Sequence, residues 1–213
     1  MTGRLRVAVL ISGRGSNLQA LIASCADPAF PAEIVSVISN RSEAPGLGFA
    51  AAAGIPCAVI ADGDRRGFAA RADSLLREQG VELICLAGFM RVLSADFVGR
   101  WHDRILNIHP SLLPAFPGLH THERALAAGV RLAGCTVHIV RPVVDDGPIL
   151  VQAAVPVLDG DDAASLAARI LVEEHRCYPL ALRWVAEGRV RIEGGRVRID
   201  GTDAAAGAIR NPL

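Results

Sequence analysis

The sequence predicts an α/β protein with a doubly wound, mostly parallel sheet and an antiparallel extension in its C-terminal half. Short apolar, β-branched segments alternate with longer Ala- and Leu-rich segments through the first half of the chain. Strands that are apolar along their whole length are typical of a sheet covered on both faces, in which crossover helices make neighbouring strands parallel. The 213 residues, 51% of them hydrophobic, suffice for one well-cored domain. We expect that domain over residues 1–200 and a poorly ordered tail over residues 201–213.

The first half contains five predicted strands: Arg6–Ile11, Glu33–Ser39, Cys57–Ile60, Leu83–Leu86 and Ile105–Ile108. Residues that favour helix ends stand between them. The predicted helices with these end signals are Asn17–Ser24 with Ser16 as its N-cap, Phe49–Ala53 followed by Gly54, and Phe68–Gln79 followed by Gly80.

The second half begins with a short helix, predicted at Glu123–Ala128. Two strands follow, Cys135–Val140 and Ile149–Val155, and the eight residues between them are too few for a helical crossover, which makes the strands antiparallel. The remaining predicted elements are a helix from its cap at Asp162 to about Ala186, with a kink or break at Pro179, and a hairpin that turns at Gly194-Gly195.

Composition excludes several classes of protein. Lys plus Arg and Asp plus Glu are both 22, so no net basic field is available to recruit nucleic acid or an anionic membrane. There is no apolar run long enough to span a bilayer and no signal-peptide pattern, which predicts a soluble, cytoplasmic protein. The five cysteines are unevenly spaced with no CxxC pair, so we interpret them as small core residues in a reducing compartment.

The segment Ile105–Leu126 carries the most chemical information. An apolar strand runs directly into Asn107 and His109 and then into a proline-rich loop. Side chains two positions apart on a strand lie on the same face, so both can reach one reacting carbonyl group. An amide can stabilise a developing oxyanion, and an imidazole can move a proton near neutral pH. This pair indicates acyl-type transfer.

A second candidate site joins the first strand to the first helix. It consists of Gly13, Gly15, Ser16 and Asn17. Glycines allow a close backbone approach, and the free N–H groups of a helix start favour an anion, which predicts a phosphate site. A dinucleotide site would need a third glycine where Leu18 stands and an acidic residue where Ser39–Arg41 stand, so NAD binding is not predicted.

Other residues have competing interpretations. His109, His120 and His122 could form a three-histidine zinc site, but they lack the spacing of known zinc motifs. Ser111 with His109 and Asp145 could form a hydrolase triad, but no G-x-S-x-G elbow is present. Without further context, the apolar residues after the fourth strand are interpreted as core residues. The Asp145-Asp146 pair is interpreted as part of a turn, and Glu174 as a residue on the solvent-exposed face of a helix.

Six segments together resemble the folate-dependent glycinamide ribonucleotide formyltransferases of purine synthesis. In register along the chain they are Leu10–Ile22, Ile38–Pro56, Leu86–Ser94, Asn107–Leu126, Val144–Val157 and Glu173–Leu182. The resemblance implies transfer of a formyl group from 10-formyltetrahydrofolate, as co-substrate, to the amine of glycinamide ribonucleotide, with neither a metal nor NAD. It leaves a homodimer open.

The resemblance also implies roles for individual residues. The catalytic residues would be Asn107, His109 and Asp145. The pterin pocket would be formed by Met90, Arg91, Val92, Leu93, Val140 and Val144. The acceptor would be bound by Gly13, Gly15, Ser16, Asn17, Arg65, Gly88, Pro110 and Glu174. Two choices stay open, because Asp146 stands where the family often has glycine and Arg66 adjoins Arg65.

Three competing functions are considered. A methionyl-tRNA formyltransferase would need a C-terminal nucleic-acid module and a basic surface, for which this chain has neither length nor charge. A formyltetrahydrofolate hydrolase typically reads NIHHSFLP where this chain reads NIHPSLLP. Outside catalysis, the alternative is a protein that binds a phosphorylated ligand without turnover.

Overall fold

The computed structural model describes residues 3–61, 65–202 and 210–211, and for Arg65 and Arg66 the backbone alone. In this part of the chain, seven strands form one sheet in the order β3-β2-β1-β4-β5-β6-β7, and two more form a separate hairpin. The strands are β1 Leu5–Ile11, β2 Ala32–Ser39, β3 Cys57–Val59, β4 Leu83–Leu86, β5 Ile105–His109, β6 Leu132–Ile139, β7 Ile149–Pro156, β8 Val190–Glu193 and β9 Arg196–Ile199. The helices are α1 Ser16–Cys25, α2 Gly46–Ala52, α3 Arg65–Glu78, α4 Ala95–Arg100, α5 Thr121–Ala127 and α6 Ala163–Ala186.

The sheet has the predicted mixture of strand directions. Strands β1 to β5 are parallel, whereas β6 runs antiparallel to both β5 and β7. Nine residues, 140–148, connect β6 to β7, and so short a loop can only return the chain antiparallel. The predicted α/β fold class is confirmed.

Apolar side chains fill both faces of the sheet. Val7 and Val9 on β1 pack into the cluster beneath α1 and α6, whereas Ala8 and Leu10 pack into the cluster beneath α3 and α4. This alternation is the period-two pattern of a strand covered on both faces. The buried Tyr178 of α6 donates its hydroxyl to the carbonyl groups of β4 and β5, at 3.0 and 3.2 Å. It therefore fixes the long helix against the strands that carry the site.

Several local predictions need correction. Ser16 is the first residue of α1, and Gly15 is its N-cap, at a φ of 79° that favours glycine. A kink or break was predicted at Pro179, but helix α6 continues through this residue, so the predicted break does not occur. Helix α4 was missed, although Ser94 caps it by accepting a hydrogen bond from the Phe97 amide at 3.2 Å. Serine is a preferred N-cap residue, so Ser94 could have predicted the start of this helix.

Two further predictions concern the cysteines and the tail. Cys25, Cys85, Cys135 and Cys177 are buried as predicted, but Cys57 is exposed, because it lies on the edge strand β3. Most of the predicted tail, residues 203–209 and 212–213, lies outside the described residues. Among the residues that are described, no helix is long and apolar enough to cross a membrane.

Candidate active site

The candidate residues meet along the carboxyl edge of the parallel strands. In the sheet, β2 and β3 lie on one side of β1, and β4 and β5 lie on its other side, so the order of the strands reverses at β1. Ligands of doubly wound folds bind in the crevice at such a reversal, outside the carboxyl ends of the strands. The segment of residues 13–17 follows β1, the loop of residues 88–93 follows β4, and Asn107 and His109 lie in the last three residues of β5. The two predicted loops and the predicted pair therefore lie along the same edge of the sheet.

Asn107 is held by a histidine that the sequence interpretation missed. His138 lies opposite Asn107 in the β5–β6 ladder, and its Nε2 is 3.1 Å from the Asn107 Nδ2. Its Nδ1 is 3.2 Å from its own strand's Ile139 carbonyl oxygen. An imidazole that donates from Nδ1 and accepts at Nε2 is neutral. Burial lowers the pKa of His138, which favours that neutral form.

The sequence did not reveal the role of His138, because that role depends on the register between two strands. His138 falls inside the predicted strand Cys135–Val140, but a pattern of apolar residues does not state which of its side chains faces Asn107. Only the observed antiparallel pairing of β5 with β6 places the two residues opposite each other.

His109 lies between a carboxylate and a carbonyl group. Its Nδ1 is 3.5 Å from the Asp145 Oδ2, and its Nε2 is 3.0 Å from the Phe116 carbonyl oxygen. The His109 and Asp145 side chains are only 8% and 9% exposed, so solvent screens their interaction little. Both ring nitrogens face acceptors, and an imidazolium satisfies both by donating from each nitrogen.

The geometry distinguishes the two neighbouring aspartates. Asp145 accepts a hydrogen bond from the Gly118 amide at 2.8 Å and adopts a left-handed φ of 56°, which Asp tolerates better than most residues. Asp146 is exposed. Gly147 approaches β6 so closely that a Cβ atom would lie 1.6 Å from the Ile139 carbonyl oxygen. This contact fixes the turn, and Asp145 is the aspartate that faces His109.

The loop of residues 13–17 packs tightly against α2. The Gly46 amide donates to the Gly13 carbonyl oxygen at 3.1 Å, and a Cβ atom on Gly15 would lie 2.6 Å from the Gly46 Cα. A side chain at Gly13 would meet no atom within 4 Å, so space is open beside it. Close packing on one side and open space on the other suit a backbone cradle at the start of a helix.

Glu174 is buried, although helix statistics suggest a solvated face. Its Oε2 accepts a hydrogen bond from the Asn17 Nδ2 at 2.6 Å, which joins α6 to the first turn of α1. Burial raises the pKa of Glu174, while the Asn17 hydrogen bond acts in the opposite direction. The Oδ1 atom of Asn17 is buried and has no hydrogen-bond partner among the described residues. A buried polar pair of this kind is suited to a hydroxylated ligand.

The residues predicted for the pterin pocket divide into two groups. Met90, Val92 and Val144 are exposed by 64%, 48% and 50%, so they do not fill the core as their apolar character alone suggests. Leu93 and Val140 are partly buried against the cluster beneath α3 and α4. Exposed apolar side chains beside a crevice offer a surface to a flat apolar ligand.

Four other residues were predicted to bind the substrates: Arg91, Gly88, Pro110 and Arg65. Arg91 is stacked over the Phe68 ring, with 5.0 Å between its guanidinium carbon and the ring centroid. Gly88 turns the chain after β4 at a φ of 68°, and Pro110 directly follows His109 and is half-buried. The Arg65 side chain lies outside the described part of the chain.

Among the described residues, neither alternative catalytic set is assembled. The Ser111 hydroxyl donates to the Ala115 carbonyl oxygen at 2.6 Å, so it closes a turn and does not face His109. His120 is exposed, and its Nδ1 lies 3.8 Å from a carboxylate oxygen of Glu123. The partners of His109 are Asp145 and a backbone carbonyl group.

Comparison with known proteins identifies the family of the chain. The formyl transferase family model matches residues 5–182. Phosphoribosylglycinamide formyltransferase of Haemophilus influenzae is 42% identical over 92% of this chain and 94% of its own length. The crystal structure of glycinamide ribonucleotide transformylase 1 from Symbiobacterium toebii is 50% identical, with a TM-score of 0.90 over 92% of this chain and 94% of that one.

The chain belongs to the formyl transferase family. The relative from Haemophilus influenzae, which it covers almost end to end, is named a phosphoribosylglycinamide formyltransferase. It is also 52% identical to the trifunctional purine biosynthetic protein adenosine-3 of Gallus gallus, of whose length it spans only 20%. The resemblance inferred from six short segments is thereby confirmed.

Proposed function

We propose that the protein transfers the formyl group of 10-formyltetrahydrofolate to the amine of glycinamide ribonucleotide, a step of purine synthesis. The observation that carries this proposal is the convergence of Asn107, His109 and Asp145 at one edge of the sheet. The names of the relatives that the chain covers nearly end to end support the choice of substrates.

The reaction starts when the neutral amine attacks the formyl carbon. The carbonyl oxygen gains negative charge, the attacking nitrogen becomes positive and must lose a proton, and the leaving folate nitrogen must gain one. Asn107 donates an amide hydrogen to the oxyanion. His138 accepts one hydrogen of that amide and leaves the other for the substrate, so its role is to orient Asn107.

His109 and Asp145 carry the proton transfer. As an imidazolium, His109 donates to the oxyanion or to the leaving nitrogen, after its Nε2–H exchanges the Phe116 carbonyl oxygen for the substrate. Asp145 stabilises the imidazolium from the other side of the ring and helps to remove the amine proton, either directly or through water. No covalent intermediate with the enzyme is required. Holding both substrates in line supplies much of the remaining rate.

The two loops divide the substrates between them. The acceptor phosphate is bound by the backbone of Gly13 to Asn17, and the ribose hydroxyls by the buried Glu174. The pterin ring lies against the loop of residues 88–93 and Val144. For the acceptor arginine, Arg65 remains the proposal over Arg66.

The organisation of the chain and its partners completes the proposal. Residues 1–200 act as one domain, in the cytoplasm, on small-molecule substrates. The equal numbers of acidic and basic residues argue against a nucleic-acid or membrane-surface partner.

A single assay tests the function. Tetrahydrofolate release from 10-formyltetrahydrofolate is followed with and without glycinamide ribonucleotide, and the formylated product is quantified. We expect release that depends on the acceptor. Equal release without the acceptor would indicate a hydrolase, and tight binding of both ligands without release would indicate a binding protein.

A further inference from the structure

Ser12 occupies a buried position between the two substrate loops. It follows the last residue of β1 and directly precedes Gly13, and it is 3% exposed. Its hydroxyl donates to the Oδ1 atom of Asn40, at the end of β2, at 2.6 Å. The same oxygen accepts a hydrogen bond from the Met90 amide at 2.8 Å. One side chain thereby joins segments that follow three different strands.

The hydroxyl continues the β1–β4 ladder beyond the point where the backbone can. The last backbone bonds between these segments run from the Ala87 amide to the Leu10 carbonyl oxygen, 2.9 Å, and from the Ser12 amide to the Gly88 carbonyl oxygen, 3.2 Å. At Gly88 the chain turns away with a φ of 68°. The next described bond from this segment towards β1 runs from the Met90 amide to the Ser12 hydroxyl, so a side chain takes over from the backbone ladder at the start of the loop.

The backbone after Ser12 is fixed from the other side. The Gly13 carbonyl oxygen accepts from the Gly46 amide at 3.1 Å, which anchors the proposed phosphate loop to α2. Ser12 therefore links the position of Met90 to the backbone segment that is proposed to hold the acceptor phosphate. A shift of the Met90 segment would alter the surface that receives the pterin ring and so weaken donor binding.

We propose that Ser12 is a positioning residue for the formyl donor: its hydroxyl holds the loop of residues 88–93 in register with the loop of residues 13–17. It touches neither substrate. This inference rests on the proposed function, since it concerns the donor pocket of the same site.

The test compares three variants, Ser12→Ala, Ser12→Thr and Ser36→Ala. Ser36 is the matched control, because it is fully buried on β2 and its hydroxyl has no hydrogen-bond partner among the described residues. Dissociation constants for tetrahydrofolate are measured by direct binding, KM values for each substrate and kcat by turnover, and Tm by thermal unfolding.

We expect Ser12→Ala to raise the tetrahydrofolate Kd and the donor KM by roughly 5- to 30-fold, the scale of one buried hydrogen bond left incomplete. The acceptor KM and kcat at saturation should stay within about twofold, since donor binding is weakened equally in the ground state and the transition state. Ser12→Thr keeps the hydroxyl and should recover most of the donor affinity. Ser36→Ala should bind the donor like the wild type.

Two results would overturn the inference. One is a Ser12→Ala protein with an unchanged tetrahydrofolate Kd. The other is a loss of affinity that is equal for both substrates or is shared by Ser36→Ala, which indicates general destabilisation. Because folate binding is measured without turnover, a wild type that binds tetrahydrofolate but transfers no formyl group refutes the proposed function while the binding comparison still decides the role of Ser12.

Discussion

Replacing Asp145 with Asn removes a negative charge beside His109 and little else. The Asp145 Oδ2 lies 3.5 Å from the His109 Nδ1 and 2.8 Å from the Gly118 amide nitrogen. The oxygen of an Asn side chain can keep the Gly118 hydrogen bond, and Asn tolerates the left-handed φ of 56° as well as Asp does. The variant therefore keeps the shape of the turn and tests the charge.

The distance sets the expected magnitude. Unit charges at the 3.5 Å separation attract by about 5 kcal/mol at an effective dielectric constant of about 20, and the cost of desolvating two buried groups offsets part of this. If roughly 3 kcal/mol of imidazolium stabilisation is lost in the transition state, kcat falls ~10²-fold. This agrees with the ~10²–10⁴-fold typical of a lost acid–base group.

The assay measures kcat for tetrahydrofolate release with both substrates saturating. Asp146→Asn is the matched control, since it makes the same chemical change at the neighbouring, exposed carboxylate. We expect Asp145→Asn to be slow and Asp146→Asn to keep most of the wild-type rate. Asp146→Gly, the residue common in the family, should also retain activity.

The reasoning fails if the ranking is reversed. An active Asp145→Asn with an inactive Asp146→Asn would move the catalytic carboxylate one residue along the chain. If both variants stay within a few-fold of the wild type, the carboxylate beside His109 does not contribute to the proton transfer.

Three further predictions concern the rest of the site. His109→Ala should lower kcat by ~10²–10⁴-fold with donor binding retained, and a kcat within a few-fold of wild type would exclude a catalytic role. Gly15→Val should raise the acceptor KM, because a Cβ atom there would lie 2.6 Å from the Gly46 Cα. Gly48→Val is the control, because a Cβ atom at Gly48 meets no atom within 4 Å. Equal acceptor KM values for the two variants would contradict a phosphate site at residues 13–17. Burial raises the pKa of Glu174 in the folded protein, which means that folding favours the protonated carboxyl group. The stability contributed by this protonated group is complete below the unfolded pKa and is lost as pH rises through the folded pKa. Glu174→Gln should therefore unfold at a higher Tm than the wild type at about pH 8, with a difference that shrinks towards about pH 4, while its acceptor KM rises; a pH-independent Tm difference would contradict this account.

Local patterns predicted most of the fold. The apolar, β-branched runs predicted the five parallel strands to within one residue. For the inner strands the reason is that a strand covered on both faces must be apolar along its length, whereas β3 lies at the edge of the sheet and is partly exposed. The short link between the strands β6 and β7, eight residues as predicted and nine as observed, is too short for a helical crossover and therefore predicted their antiparallel pairing. Helix ends were less accurate. Gly15 rather than Ser16 caps α1, since the chain needs a left-handed residue to pass Gly46.

The sequence by itself determined the fold class, the family and the same-face pair Asn107 and His109, because each depends on residues close together in the chain or on a pattern along it. Tertiary structure alone decided which distant side chains meet. His138 faces Asn107 only through the β5–β6 register, Glu174 reaches Asn17 across 157 positions, and the choice of Asp145 over Asp146 depends on one left-handed backbone turn. Such contacts are set by how sheets and helices pack, and short-range residue patterns do not encode that packing directly.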